Sequence, residues 1–114
     1  MIENAKITSA DLSMEEHGCL TLWLILEGQG WGCGFGGRVL GKGYVGAKEF
    51  EGSEKGIVEI MKIMDVVGVS KFSELKGKIV RAEIDKWWGG KIDKIGNVIE
   101  DKWFSYKEFY GEGE

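Results

Sequence analysis

Leucine recurs at every second position through Leu20, Leu22, Leu24 and Leu26, and glycine does the same through Gly28, Gly30, Gly32, Gly34 and Gly36. Successive side chains of a strand point to opposite faces, so period-two spacing on both sides of a glycine-rich break predicts a β-hairpin over residues 19–40. The break Glu27-Gly28-Gln29-Gly30 closes a two-residue turn with Gly28 first, as a type II′ turn prefers. In that register Leu22 meets Phe35, Leu24 meets Cys33 and Leu26 meets Trp31 on one face, which is the core face. On the other, Thr21 meets Gly36, Trp23 meets Gly34 and Ile25 meets Gly32. Each strand glycine costs roughly 0.5–1 kcal/mol relative to alanine, so something must offset three on one face. Trp23 lying across them, a helix packed unusually close, a flat ligand or a second subunit would each do so.

The rest of the chain allows one ordinary domain. It has 114 residues, 43% hydrophobic and 30% charged, with no proline, linker or repeat to divide it. No apolar run approaches the roughly 20 residues that span a bilayer. The start, Met-Ile-Glu-Asn-Ala-Lys, lacks the basic and apolar regions of a secretory signal, so a cytoplasmic setting is expected, with no membrane partner. The net charge is -4, and Arg38 and Arg81 are the only guanidinium groups. Duplex nucleic acid needs a clustered cationic face and is excluded as a partner, whereas a small anion needs only two or three cations.

Residues 2–14 read as a first strand. The loop Gly41-Lys42-Gly43-Tyr44-Val45-Gly46 is a candidate lid. Ser53 caps a helix to Val67, with Ile57, Ile60, Met61, Met64 and Val67 as its core stripe and Gly68 as its stop. Ser70 caps a short turn, a strand follows over 78–85, and Trp87-Trp88-Gly89-Gly90 leads into a return strand over 91–99 with a bulge at Gly96-Asn97. Ser105 caps a last helical turn over 106–110. The expected fold is therefore α+β: an antiparallel sheet of about five strands from two hairpins, one main helix packed on it and a short C-terminal helix.

Little of the chemistry points to catalysis. His17 is the single histidine, and with Cys19 and Cys33 it offers too few ligands for a metal site. The glycine run lies inside a hairpin and lacks the helix N-terminus that a dinucleotide fingerprint requires. Glu15-Glu16 and Glu100-Asp101 fall in turn-like positions that water solvates. No catalytic group, metal or cofactor is expected. What stands out is a supply of rings near cations. Trp87 and Trp88 sit at a hairpin tip beside Lys86 and Lys91, with Arg81 and Asn97 on the adjoining strands and Arg38 on the first hairpin. Such a set can stack a nucleobase, pair a phosphate and read a base edge. The plainer alternative has one tryptophan closing the core and the other against a neighbouring subunit, and either way a homo-oligomer or partner is expected.

The stretches Glu16-His17-Gly18-Cys19-Leu20-Thr21, Gly34-Phe35-Gly36-Gly37, Leu75-Lys76-Gly77-Lys78, Ile95-Gly96-Asn97 and Asp101-Lys102-Trp103-Phe104 resemble a family of small phage and prophage proteins. Size and layout are similar to the anti-Thoeris sponge proteins of phages. That resemblance implies an oligomer that sequesters a cyclic ADP-ribose immune signal in the host cytoplasm without cleaving it. A protein inhibitor of a host defence complex, using the same rings as hot spots, and a single-stranded nucleic-acid binder remain open beside it.

Overall fold

The structure is a computed structural model that describes residues 1–16, 18–43, 46, 48–84 and 91–111. The order of elements is β1 (Ile2–Glu16), β2 (Cys19–Gly28), β3 (Trp31–Lys42), β4 (Glu51–Gly52), α1 (Glu54–Val67), a single 3-10 turn (Phe72–Glu74), β5 (Ile79–Ile84), β6 (Ile92–Gly96), β7 (Trp103–Ser105) and α2 (Tyr106–Tyr110). The fold is α+β, with one antiparallel sheet in the order β4-β3-β2-β1-β5-β6-β7. Among the described residues seven strands stand where about five were expected. The added ones are β4, a two-residue pairing with the end of β3, and β7, in a stretch to which the sequence pattern assigned no element. Among the described residues no helix is long and apolar enough to cross a membrane.

β1 is the central strand. Residues 6–16 pair with β2, and residues 2–6 pair with β5 on its other edge. The sheet curls until β3 and β6, with three strands between them in the ladder, approach within 8 Å without pairing. α1 lies inside the curl, against β3, β6 and β7. Leu22, Leu24 and Leu26 are fully buried in one core with Ile7, Val80, Ile95, Ile63 and Leu75.

The leucine face is therefore the core face, but the pairing register differs from expectation. Leu24 meets Phe35, Leu26 meets Cys33, and Gly28 meets Trp31. On the other face Trp23 meets Gly36, Ile25 meets Gly34 and Glu27 meets Gly32. The turn residues are Gln29 and Gly30, with Gly30 at φ +82° in the left-handed seat that was assigned to Gly28. A slip of two keeps every side chain on its face, which is why the pattern alone did not locate the turn.

Trp23 supplies most of the cover that the glycines need. A Cβ at Gly34 would stand 3.1 Å from its ring, and one at Gly37 would clash with it at 2.5 Å. A tryptophan that hides roughly 150 Å² recovers about 3–4 kcal/mol, enough to offset three strand glycines. Gly36 and Gly37, at φ +134° and +91°, form a bulge that bends β3 inward, and a Cβ on Gly36 would lie 2.2 Å from the Leu22 carbonyl oxygen.

α1 begins at Ser53, whose hydroxyl accepts from the Gly56 amide, and stops at Gly68 in the left-handed region. Its buried face is Gly56, Glu59, Ile63 and Val66 rather than the expected stripe. Ile60, Met64 and Val67 are half-buried, while Ile57 and Met61 are 55% and 62% exposed. Two features turn the helix this way. Gly56 lets it sit on Leu40, whose Cα would be 2.9 Å from an added Cβ, and tyrosine hydroxyls draw Glu59 inward.

Three further expectations are corrected. The 3-10 turn is capped at Lys71, whose amide donates to the Glu74 carboxylate, and not at Ser70. β6 ends at Gly96, and Asn97 opens a turn instead of a bulge, because its carboxamide oxygen accepts from the amides of Ile99 and Glu100. The expected lid is partly strand: Gly41 and Lys42 pair with β4, and the Gly43 amide donates to the Gly18 carbonyl, while Tyr44 and Val45 lie outside the described residues. Ser105 and Gly111 cap α2 as expected.

The glycines of β3 should respond unequally to alanine. Gly36→Ala is expected to lower the unfolding free energy by about 2–3 kcal/mol, through backbone clash and strain. Gly32, where an added Cβ meets nothing closer than 3.6 Å, should tolerate alanine within about 1 kcal/mol, on the stabilising side. Urea denaturation of the two variants beside the parent protein reads both effects.

Candidate functional site

β3 and β6, brought together by the curl, leave a cleft between them. It has a volume of about 400 Å³, within the range of small-molecule sites. β3 contributes Cys33, Gly34, Phe35, Gly36 and Arg38 to its walls, β2 contributes Trp23, α2 contributes Tyr106, and Lys91 and Ile92 stand opposite on the β6 side. The bulge at Gly36 and Gly37 carries β3 around this corner. One wall is thus nearly bare backbone with a 36% exposed indole lying along it.

Beneath the cleft lies a cluster of five rings. Phe35 packs against Tyr106 at 4.9 Å and edge-on against Phe104 at 6.3 Å, and Phe104 meets Tyr106 at 5.0 Å. Phe109 and Tyr110 complete it. The Arg38 guanidinium lies over Tyr106 and Tyr110, at 5.9 and 5.3 Å from their centroids, and Lys55 lies over Phe109 and Tyr110.

Glu59 is fully buried at the base of this cluster. Tyr106 donates its hydroxyl to one carboxylate oxygen at 2.6 Å, and Tyr110 donates to the other at 2.5 Å. Burial pushes the Glu59 carboxyl above its ordinary range, against the opposing pull of the two hydroxyls and of Arg38. Burial likewise raises both tyrosines, and the Glu59 carboxylate adds to it. Neither phenol is therefore set up as a base at neutral pH. The trio serves as a clamp between α1 and α2.

The six residues singled out from sequence fall into three places. Arg38 and Lys91 come together on the cleft walls. Arg81 and Asn97 are joined elsewhere, in a brace: Arg81 donates from Nε to the Asn97 carbonyl at 2.6 Å and from Nη2 to the Glu100 carbonyl at 3.0 Å, with its guanidinium 4.4 Å from the Trp103 ring. Asn97 also donates to the Val66 carbonyl at 2.9 Å, tying the turn to the end of α1. These groups are committed to shaping the chain. Trp87 and Trp88 lie outside the described residues. Sequence reading missed Tyr106 and Glu59. Their signal was an acid flanked on both sides by apolar residues, Val58-Glu59-Ile60, and two tyrosines four apart behind a serine cap.

Among the described residues no group of three His, Cys, Asp or Glu side chains is placed to hold a metal ion. His17 lies outside them. Comparison with family models, with curated proteins and with solved structures returns no match.

Two measurements check these roles. Asn97→Ala should cost roughly 1–3 kcal/mol of stability, because it strips the turn and the helix end of their partners together. Glu59 should make stability pH-dependent. Its folded carboxyl holds a proton more tightly than the unfolded one, whose ordinary value is 4.5. Its contribution is therefore complete below that value and is lost as pH rises through the higher folded value. Thermal melts across this range should show Glu59→Gln, which can still pair with both hydroxyls, gaining on the parent protein as pH increases.

Proposed function

We propose that the protein binds a small anionic nucleotide of the cyclic ADP-ribose class in the cleft between β3 and β6 and holds it unchanged, acting in the host cytoplasm as a phage anti-defence sponge. The observation that carries this reading is the pairing, on the walls of one cleft, of an indole face with two cations: Trp23 with Arg38 and Lys91. A nucleobase stacks on the ring while phosphates engage the guanidinium and ammonium groups. The resemblance to phage sponge proteins supplies the ligand class. Holding the ligand unchanged is in keeping with the Tyr106 and Tyr110 hydroxyls and the Glu59 carboxylate being hydrogen-bonded to one another.

The expected homo-oligomer has separate support. Ile57 and Met61, one turn apart on α1, stand in solvent beside the half-buried Ile60 and Met64. The same stripe favours a second reading, an inhibitor that docks on a host defence protein.

Isothermal titration with cyclic ADP-ribose isomers and cyclic oligonucleotides tests the proposal. The expected outcome is binding of a cyclic ADP-ribose, weakened about tenfold or more by Arg38→Ala and by Trp23→Ala, with the ligand recovered intact after denaturation. Heat from none of these ligands, alongside a stoichiometric protein partner from host lysate, would establish the inhibitor reading instead. Native mass spectrometry of the purified protein reports the oligomeric state.

A further inference from the structure

We infer that the cleft takes up its anion together with a proton, which is stored on the buried Glu59, so that ligand is held tightly at low pH and released as pH rises. This rests on the cleft being the ligand site. The geometry places one cation, Arg38, between the cleft and a buried acid. Arg38 lines the cleft and at the same time lies over the rings of Tyr106 and Tyr110. Those two rings hold the Glu59 carboxylate through their hydroxyls. Without ligand, the field of Arg38 favours ionised Glu59, and it is the charged group that acts on this carboxylate across the interface with β3. Among the described residues the other groups acting on it are the neutral hydroxyls of Tyr106 and Tyr110 of α2. Lys55, one turn earlier on α1, is engaged over the rings of Phe109 and Tyr110.

An anion arriving at Arg38 changes this balance. Its charge offsets the guanidinium and adds direct repulsion of a second negative charge inside the fold. Two like charges about 10 Å apart, at the effective dielectric of a protein site, change a proton equilibrium by roughly tenfold. The carboxylate relieves the conflict by taking a proton from solvent. One of its two tyrosine bonds then reverses, with the carboxyl as donor and the phenol oxygen as acceptor. The clamp survives, because Glu59 keeps both partners in either state. Reciprocity of linkage requires that protonation of Glu59 tighten the anion by the same factor.

ADP-ribose is a suitable probe, because its two phosphates keep their charge between about pH 5 and pH 8. Titration calorimetry of the full chain, in buffers of differing ionisation enthalpy, reads affinity and proton count together. The expected result is uptake of a fraction of a proton per ligand and an affinity that falls, by up to about tenfold, as pH rises through the Glu59 titration. Glu59→Gln should bind ADP-ribose with both effects abolished. Carbon-13 NMR of the labelled Glu59 carboxyl should show its titration moving to higher pH when ADP-ribose is added, and this measurement stands whether or not the variant folds. Binding by the parent protein with no pH slope, no proton uptake and no movement of the Glu59 titration would overturn the coupling while leaving the cleft intact. Persistence of the full slope in Glu59→Gln would also overturn it. Failure of ADP-ribose and of the cyclic ligands to bind at either pH would remove the cleft reading and the coupling with it.

Discussion

The contact between Phe35, Phe104 and Tyr106 is the constraint on which the architecture depends. It joins β3, near one end of the sheet, to β7 and α2 at the other, and so sets how far the sheet curls. Everything inside the curl follows from it. α1 is trapped against both ends, Glu59 is forced into the interior, and two tyrosines of a five-residue helix become its partners. A buried carboxylate is tolerable only where its hydrogen bonds are satisfied, and among the described residues no buried side-chain nitrogen or oxygen lacks a partner. The ring contact and the polar clamp are thus two parts of one seam, the first closing the sheet and the second fixing the helices over the closure.

β3 is the element that makes such curvature possible. A strand of ordinary residues would run flat past the corner, whereas Gly36 and Gly37 let the backbone bulge and pass close to the Leu22 carbonyl. The same lack of side chains leaves a shallow wall along which Trp23 can lie. The two faces of β3 divide the work: cysteine and phenylalanine turn inward, glycine turns outward, and the cleft draws on both.

The sequence announced its local structure more clearly than its long-range contacts. Helix caps at Ser53, Gly68, Ser105 and Gly111 were legible because each is a short-range hydrogen bond or backbone requirement. The leucine face of β2 was legible because its period is two. The pairing register was not, since a two-residue slip conserves faces and only the left-handed seat at Gly30 decides it. The inward face of α1 was hidden for a different reason. Its stripe by polarity ran through Ile57 and Met61, and only the arrival of Tyr106 and Tyr110, far along the chain, makes an acid the better core residue. The candidate site was half legible on the same terms. Arg38 and Lys91 stood out as cations near rings, but Arg81 and Asn97 were assigned to the site because nothing local revealed that backbone carbonyls would engage both.

The position of β1 has a consequence for how the chain reaches this state. Its pairing with β2 is local, and the meander of β1, β2 and β3 can form early; its pairing with β5, and the ring seam beyond, must wait for segments distant in sequence. The pairing with the greater sequence separation carries the larger loop-closure cost, and the cleft exists only once the N-terminal half-sheet has met the C-terminal one. Any molecule that bridges Arg38 and Lys91 after closure ties the two halves together, so its effect falls on the rate of opening rather than on the rate of assembly.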